Sequence, residues 1–314
     1  MTAAQTAGEK TPARHKKSTN TKRSESKVAW AFSAPALILL LAFIVLPFLL
    51  AFILSFTNQR LISPLPTRFV GLDNYADTLS SASFWKGFFN NVWFVVIVVP
   101  VQTAFALWLA ILVNRKIPGR VFFRTVFFLP VVTVMAAAAV IWTLLFNANG
   151  LVNAIMETVT FGAFSPDWLN STTWALPAMM IVGIWQGVGF QMVILLAALQ
   201  DVPEVLYEAA SIDGASRWQQ FINVTLPGIR NGLIFVITVT TILAFRLFDQ
   251  VWIMPRTPGG PLDSTRTMML ELVETGFGAQ AIGRGAAIAV IFFVIVLVLT
   301  LIQRRFIREE GEVT

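Results

Sequence analysis

Glu208-Ala209-Ala210-Ser211-Ile212-Asp213-Gly214, closing at Leu226-Pro227, is a short polar stretch set between two long apolar runs. Glu204 lies three residues after Asp201, with Pro203 in the first turn, so a helix is expected there with Asp201 as its cap. Helix formers continue through Ala210, and Asp213-Gly214 predicts a tight turn, because glycine accepts a positive φ without steric cost. Ser216 followed by Gln219 predicts a second capping box. That box opens a helix carrying Trp218, Phe221 and Val224, which Leu226-Pro227 should end. A loop of about thirty residues with its own capped helices and a glycine elbow is built to touch a partner.

The flanking runs set the environment of this loop. The chain has 314 residues, 56% hydrophobic and 13% charged, against about 25% charged in soluble domains, which makes it an integral membrane protein. A membrane-spanning helix needs about 20 mostly apolar residues. Six such runs are read: Ala29–Phe56, Asn90–Val113, Val121–Phe146, Trp174–Leu199, Leu233–Met254 and Gly285–Ile302. The first is too long for a signal-peptide core. Sixteen Lys and Arg residues fall in 1–28, the 114–124 and 200–230 loops and the tail after Gln303. Six fall on the other side. The positive-inside rule therefore puts both termini and the Glu208 loop in the cytoplasm.

The expected organisation is all-α: a disordered basic tail at 1–28, a six-helix transmembrane domain at 29–303 with its cytoplasmic loop at 200–230, and a tail at 304–314. The outer loop at 57–89 should hold a short helix from about Asp73. The net charge of +6 lies largely in the tail and loops, where it sets topology and favours a lipid bilayer rather than nucleic acid. The helix–turn–helix pattern does not change that, since its loop holds only Arg217 and Arg230 and is tethered at both ends to the bilayer.

The inventory also limits chemistry. There are no cysteines, and the single histidine, His15, lies in the polar tail, so metal sites and an embedded Ser-His pair are not expected. No Gly-Lys-Ser/Thr phosphate-binding loop occurs, so this chain is not expected to hydrolyse ATP or to hold a nucleotide cofactor. Arg246 and Asp249 interrupt the fifth span. Charges in a span are costly and face a partner or water, and three residues of helical spacing would let these two pair. They serve either as a structural ion pair or interface contact, or as a gate or ligand contact.

Glu208-Ala209-Ala210, Gly214, Val224 and Leu226-Pro227 together resemble the signature loop of ABC importer permeases, with Val224 where isoleucine is usual. Trp185-Gln186-Gly187, Phe190, Phe248-Asp249, Gly259-Gly260-Pro261, Ser264-Thr265 and Arg304-Arg305 resemble the carbohydrate-type subgroup, similar to maltose and glycerol-phosphate permease subunits. The likeness spans about residues 28–308. It departs at Pro258, where relatives commonly carry another glycine, so a stiffer loop is expected.

The resemblance implies the type I importer permease (MetI-like) fold in a bacterial plasma or inner membrane. It implies three partners: a homologous six-helix subunit, two cytosolic ATPase subunits and an extracytoplasmic substrate-binding protein. ATP and Mg would be used by the ATPases alone. Glu208, Ala209, Ala210, Asp213, Gly214 and Ala215 would dock on an ATPase subunit, whose closure would rotate the helix bundles. The cargo pathway would involve Gln186, Gly187 and Phe190 with Thr240, Leu243, Ala244, Leu247 and Arg246. Gly259, Gly260 and Pro261 would form the outer loop. The cargo would be a sugar or related polar solute, or, given Arg246, a glycerophosphodiester or glycerol phosphate. A self-contained secondary transporter is the competing reading, and it would carry ionisable coupling residues at mid-membrane.

Overall fold

In the computed structural model the described residues are 19–62, 66–115 and 118–308, with side chains described for those from 30 to 305. They contain fifteen α-helices and no strand. In chain order these are α1 (Thr19–Leu40), α2 (Leu46–Leu54), α3 (Asp73–Leu79), α4 (Ala82–Asn114) and α5 (Arg120–Val132). Next come α6 (Met135–Leu145), α7 (Leu151–Val159), α8 (Ala175–Gln200), α9 (Glu204–Ile212) and α10 (Arg217–Gln220). The last five are α11 (Leu226–Gly228), α12 (Arg230–Phe245), α13 (Asp249–Ile253), α14 (Met268–Val273) and α15 (Ile282–Arg308).

The chain divides into two compact units, one ending at Leu50 and one beginning at Ala51. The first is essentially one helix. Neither proline nor glycine lies between Thr19 and Ser33, so the helix of the apolar run propagates back to Thr19. The last ten residues of the expected disordered tail are therefore helical, while residues 1–18 lie outside the described residues. Between α1 and α2 the chain widens into a π turn at Leu41–Val45, closed by the Leu46 N–H on the Leu41 carbonyl. The reason is Pro47, one residue further on, which has no N–H to continue the regular ladder.

The second unit is built around α8. Its outward face meets α4 along two apolar clusters: Phe94, Val98 and Val99 with Met179 and Val182, and Ala106, Leu109 and Ala110 with Met192 and Leu195. The α5 backbone passes so close that a Cβ on Gly189 would run into the Phe127 carbonyl. A third cluster joins Phe84 of α4 to Met268 of α14 and Ile288 of α15. α15 runs on to Arg308, into the stretch expected as a tail, and residues 309–314 lie outside the described residues.

Among the described residues five helices are long and apolar enough to cross a membrane: Trp30–Leu54, Ala82–Asn114, Ala175–Gln200, Arg230–Ile253 and Ile282–Arg305. The expected third span is instead two helices, α5 and α6, bent by 99°. Thr133 and Val134 are extended between them (ψ 129° and 128°). Pro130 is followed by four β-branched residues, Val131 to Val134, which lose side-chain freedom in a helix. Six spans result when the bent pair counts as one.

Candidate functional site

A second break lies in the fifth span. α12 ends at Phe245, Phe248 leaves helical geometry (φ −141°, ψ −59°), and α13 restarts at Asp249. A helix end leaves carbonyls without intrahelical partners, and here neighbouring side chains take them up. Asn91 of α4 donates from Nδ2 to the Phe245 carbonyl at 3.0 Å, and Thr267 donates from Oγ1 to the Leu247 carbonyl at 3.0 Å. Asn91 Oδ1 also accepts the Met268 N–H at 2.9 Å, while Thr267 caps α14 at Leu270. At the first break, Gln186 of α8 donates from Nε2 to the Thr133 carbonyl at 2.9 Å.

Both breaks open on one cavity of about 410 Å³. α8 contributes Gly183, Gln186, Gly187 and Phe190; α12 contributes Thr240, Leu243 and Ala244; the second break contributes Arg246, Leu247 and Phe248. Asp249, Gln250, Phe94, Val98, Gln102, Val131 and Met135 complete the wall. The expected Arg246–Asp249 pair is not among the ion pairs of the described residues. Helical i, i+3 spacing does not hold across them, because the helix stops between the two. Both are exposed at the cavity. Gln191, which faces away, is fully buried and donates to Thr240 Oγ1.

The stretch after α8 projects as a helical hairpin. α9 ends with the Ala215 N–H on the Ala210 carbonyl (2.9 Å) and the Gly214 N–H on the Ser211 carbonyl (3.1 Å), with Gly214 at φ +77°. This is the paired closure in which glycine takes the left-handed position. A Cβ on Gly214 would meet nothing within 4 Å, so the glycine is there for its φ and not for crowding inside the chain. The Ser216–Gln219 capping box forms in both directions. Two expectations fail. α9 is preceded by extended Pro203 and takes no side-chain cap from Asp201. The second helix does not end at Leu226-Pro227 but passes through a π turn at Phe221–Thr225 and on to Gly228. As at Pro47, the wide turn comes just before a proline. Glu208, Ala209, Asp213 and Gly214 are exposed, and Ala210 and Ala215 half-buried. Ile212, at 87% exposure, and Trp218, at 68%, are apolar side chains left uncovered by this chain.

At the far end of the broken span, Gly259 (φ +86°) and Gly260 (φ +72°) form a tight loop closed by the Thr265 N–H on the Gly259 carbonyl at 2.8 Å. Arg266 anchors it through Asp263 (2.9 Å), Glu271 (2.7 Å) and Glu274. Burial pulls the guanidinium down, but its bond to Glu271 and the charges of Glu271, Glu274 and Asp263 outweigh that and hold it above its ordinary value.

A model of the binding-protein-dependent transport system inner membrane component family matches residues 79–309. The chain belongs to this family. The permease is 34% identical over 283 residues to the trehalose/maltose transport system permease protein MalF of Thermococcus litoralis, covering 90% of this chain and 94% of that protein. It is 31% identical over 282 residues to the lactose transport system permease protein LacF of Rhizobium radiobacter, covering 89% and 94%. A crystal structure of a bacterial alginate ABC transporter in complex with an alginate pentasaccharide-bound periplasmic protein contains a chain of the same fold, with TM-score 0.80 at 19% identity over 94% of this chain and 98% of that one. The fold is the MetI-like importer permease fold, in a multi-pass membrane protein.

Within the permease, all eight residues expected along a pathway line the one cavity. Leu247 does so from beyond the end of its helix rather than from a continuous helical face. Residues not anticipated there are Phe94, Val98 and Gln102 of α4, Val131 and Met135 at the first break, Gly183, Phe248 and Gln250. Gln102 and Gln250 carried a signal, as lone amides inside apolar runs. Phe94 and Val98 of α4 did not, because nothing local says which face of a long apolar helix meets a cavity.

Proposed function

We propose that this chain is one permease subunit of an ABC importer that moves a sugar or related polar solute through the cavity between its broken helices. The observation that carries this reading is the convergence of a mainly apolar cavity carrying amide, hydroxyl and charged groups, set at two helix breaks, with a hairpin whose exposed surface includes Ile212 and Trp218. The relatives named for trehalose/maltose and lactose transport favour a saccharide. Phe190 and Leu243 line the cavity and are exposed, the latter at 54%, and a homologous subunit would cover them. Two cytosolic ATPase subunits would hold the ATP and Mg, one of them receiving the hairpin through Glu208, Ala209, Ala210, Asp213, Gly214 and Ala215. A substrate-binding protein would load the cargo from the side of the Gly259-Gly260-Pro261 loop. Both termini would lie in the cytoplasm, with residues 1–28 and 304–314 flanking the transport domain. A glycerophosphodiester or glycerol phosphate is the second reading, favoured by Arg246 at the cavity.

The test is coupling. Glu208→Lys and Gly214→Asp are expected to abolish binding-protein-stimulated ATP hydrolysis in the reconstituted complex while leaving membrane insertion unchanged. Normal stimulation in both variants would remove the hairpin from the ATPase interface.

A further inference from the structure

Two buried side chains in the cavity wall lack protein partners. Gln102 is 4% exposed and Gln250 2% exposed; both line the cavity, and neither carboxamide has a hydrogen bond among the described residues. Neither amide is among the fully enclosed unpaired polar groups, so both open on the cavity with their hydrogen-bonding capacity unused by the protein, which points to a ligand. Their placement is ordered. The Gln250 amide lies 3.8 Å from where a Cβ on Gly183 would stand, and the Gln102 amide occupies the space a Cβ on Gly187 would need. Gly183 and Gly187 share one face of α8, so both amides lie against that face of the cavity.

Each carboxamide both donates and accepts, as a hydroxyl does. The charges in the wall, Arg246 and Asp249, cancel, and every other lining residue is uncharged. Phe190 and Phe248 supply apolar faces of the kind that cover the C–H side of a pyranose. An anionic cargo would meet one arginine with a carboxylate on the same wall.

We propose that Gln102 and Gln250 bind the ring hydroxyls of an uncharged saccharide and select it over an acidic one. This rests on the transport reading above. The transporter reconstituted in proteoliposomes with its ATPase and binding protein is assayed for uptake of labelled maltose, trehalose, lactose and a glucuronate disaccharide. At least one neutral disaccharide is expected to move faster than the glucuronate. Gln102→Leu and Gln250→Leu should each lower its uptake at subsaturating concentration about fivefold, the worth of one hydrogen bond, and the double variant should lower it further. Binding-protein-stimulated ATP hydrolysis and the thermal midpoint should stay at the parent values. Gln→Met, closer in shape, replaces any Leu variant that does not insert.

If the parent moves no neutral disaccharide, the sugar reading and this inference fail together. If it does, but the variants match it or the glucuronate moves equally fast, this inference alone is overturned. Equal losses of uptake and of stimulated hydrolysis would also overturn it, by making the two amides packing elements.

Discussion

Asn91 shows how one side chain can hold a helix break open. Its Nδ2 takes the Phe245 carbonyl and its Oδ1 the Met268 N–H, both away from water. Asn91→Leu would leave a buried acceptor and a buried donor unpaired, at about 1–3 kcal/mol for each such group. We expect a loss of about 2–5 kcal/mol on that basis, measured as a lower thermal midpoint of the detergent-solubilised permease. An unchanged midpoint would mean that the break does not depend on this clamp. Asparagine in an apolar run is visible in the sequence, but its partners lie 154 and 177 residues away, so no local pattern names them. Gln186 is similar: read as a cargo contact, it lines the cavity but donates its N–H to Thr133. Gly214 is the opposite case, since its left-handed φ follows from Asp213-Gly214 alone and needs nothing from the rest of the fold.

Among elements, the two halves of the third span have different neighbours. α5 packs on α8 through Gly189 and Phe127, whereas α6 shares a core cluster with α13 through Ala139, Phe146, Val251 and Met254. A straight helix would fail to satisfy both sets of contacts, and Pro130 with its β-branched successors lowers the cost of bending. Hydrophobic periodicity does not distinguish one span from two bent halves when every face is apolar. The loop after α13 is an element held by charge. Arg266 and Glu271 are 14% and 6% exposed at their side chains, so Arg266→Leu would strand a buried carboxylate, at about 3–5 kcal/mol. We expect proteolytic nicking between Thr257 and Thr267 to accelerate and the melting transition to fall. Arg266→Lys should recover only part of the loss, because an ammonium cannot reach three carboxylates in the guanidinium's planar geometry.

For the whole molecule, topology is the sharpest prediction. The chain has no cysteine, so one introduced thiol reports one position. Trp218→Cys is expected to react with an impermeant maleimide only when the cytoplasmic face is open. Leu262→Cys, at a site 83% exposed, should react only from the opposite face. Labelling of both from the same side would contradict the arrangement drawn from the Lys and Arg counts.

The helical class, the number of apolar runs, the hairpin with its glycine elbow and capping box, and the family likeness all follow from residues close together in the chain. They depend on hydropathy, backbone preference and short-range hydrogen bonds, whose range is a few residues. Packing decides the 99° bend, which Pro130 and its β-branched successors only ease, and with it the break at Arg246–Phe248, the separation of Arg246 from Asp249 and the entry of Gln102 and Gln250 into the cavity wall. Each of these turns on which distant carbonyl, amide or glycine face meets the residue in question, and a linear pattern carries no record of contacts between residues far apart in the chain.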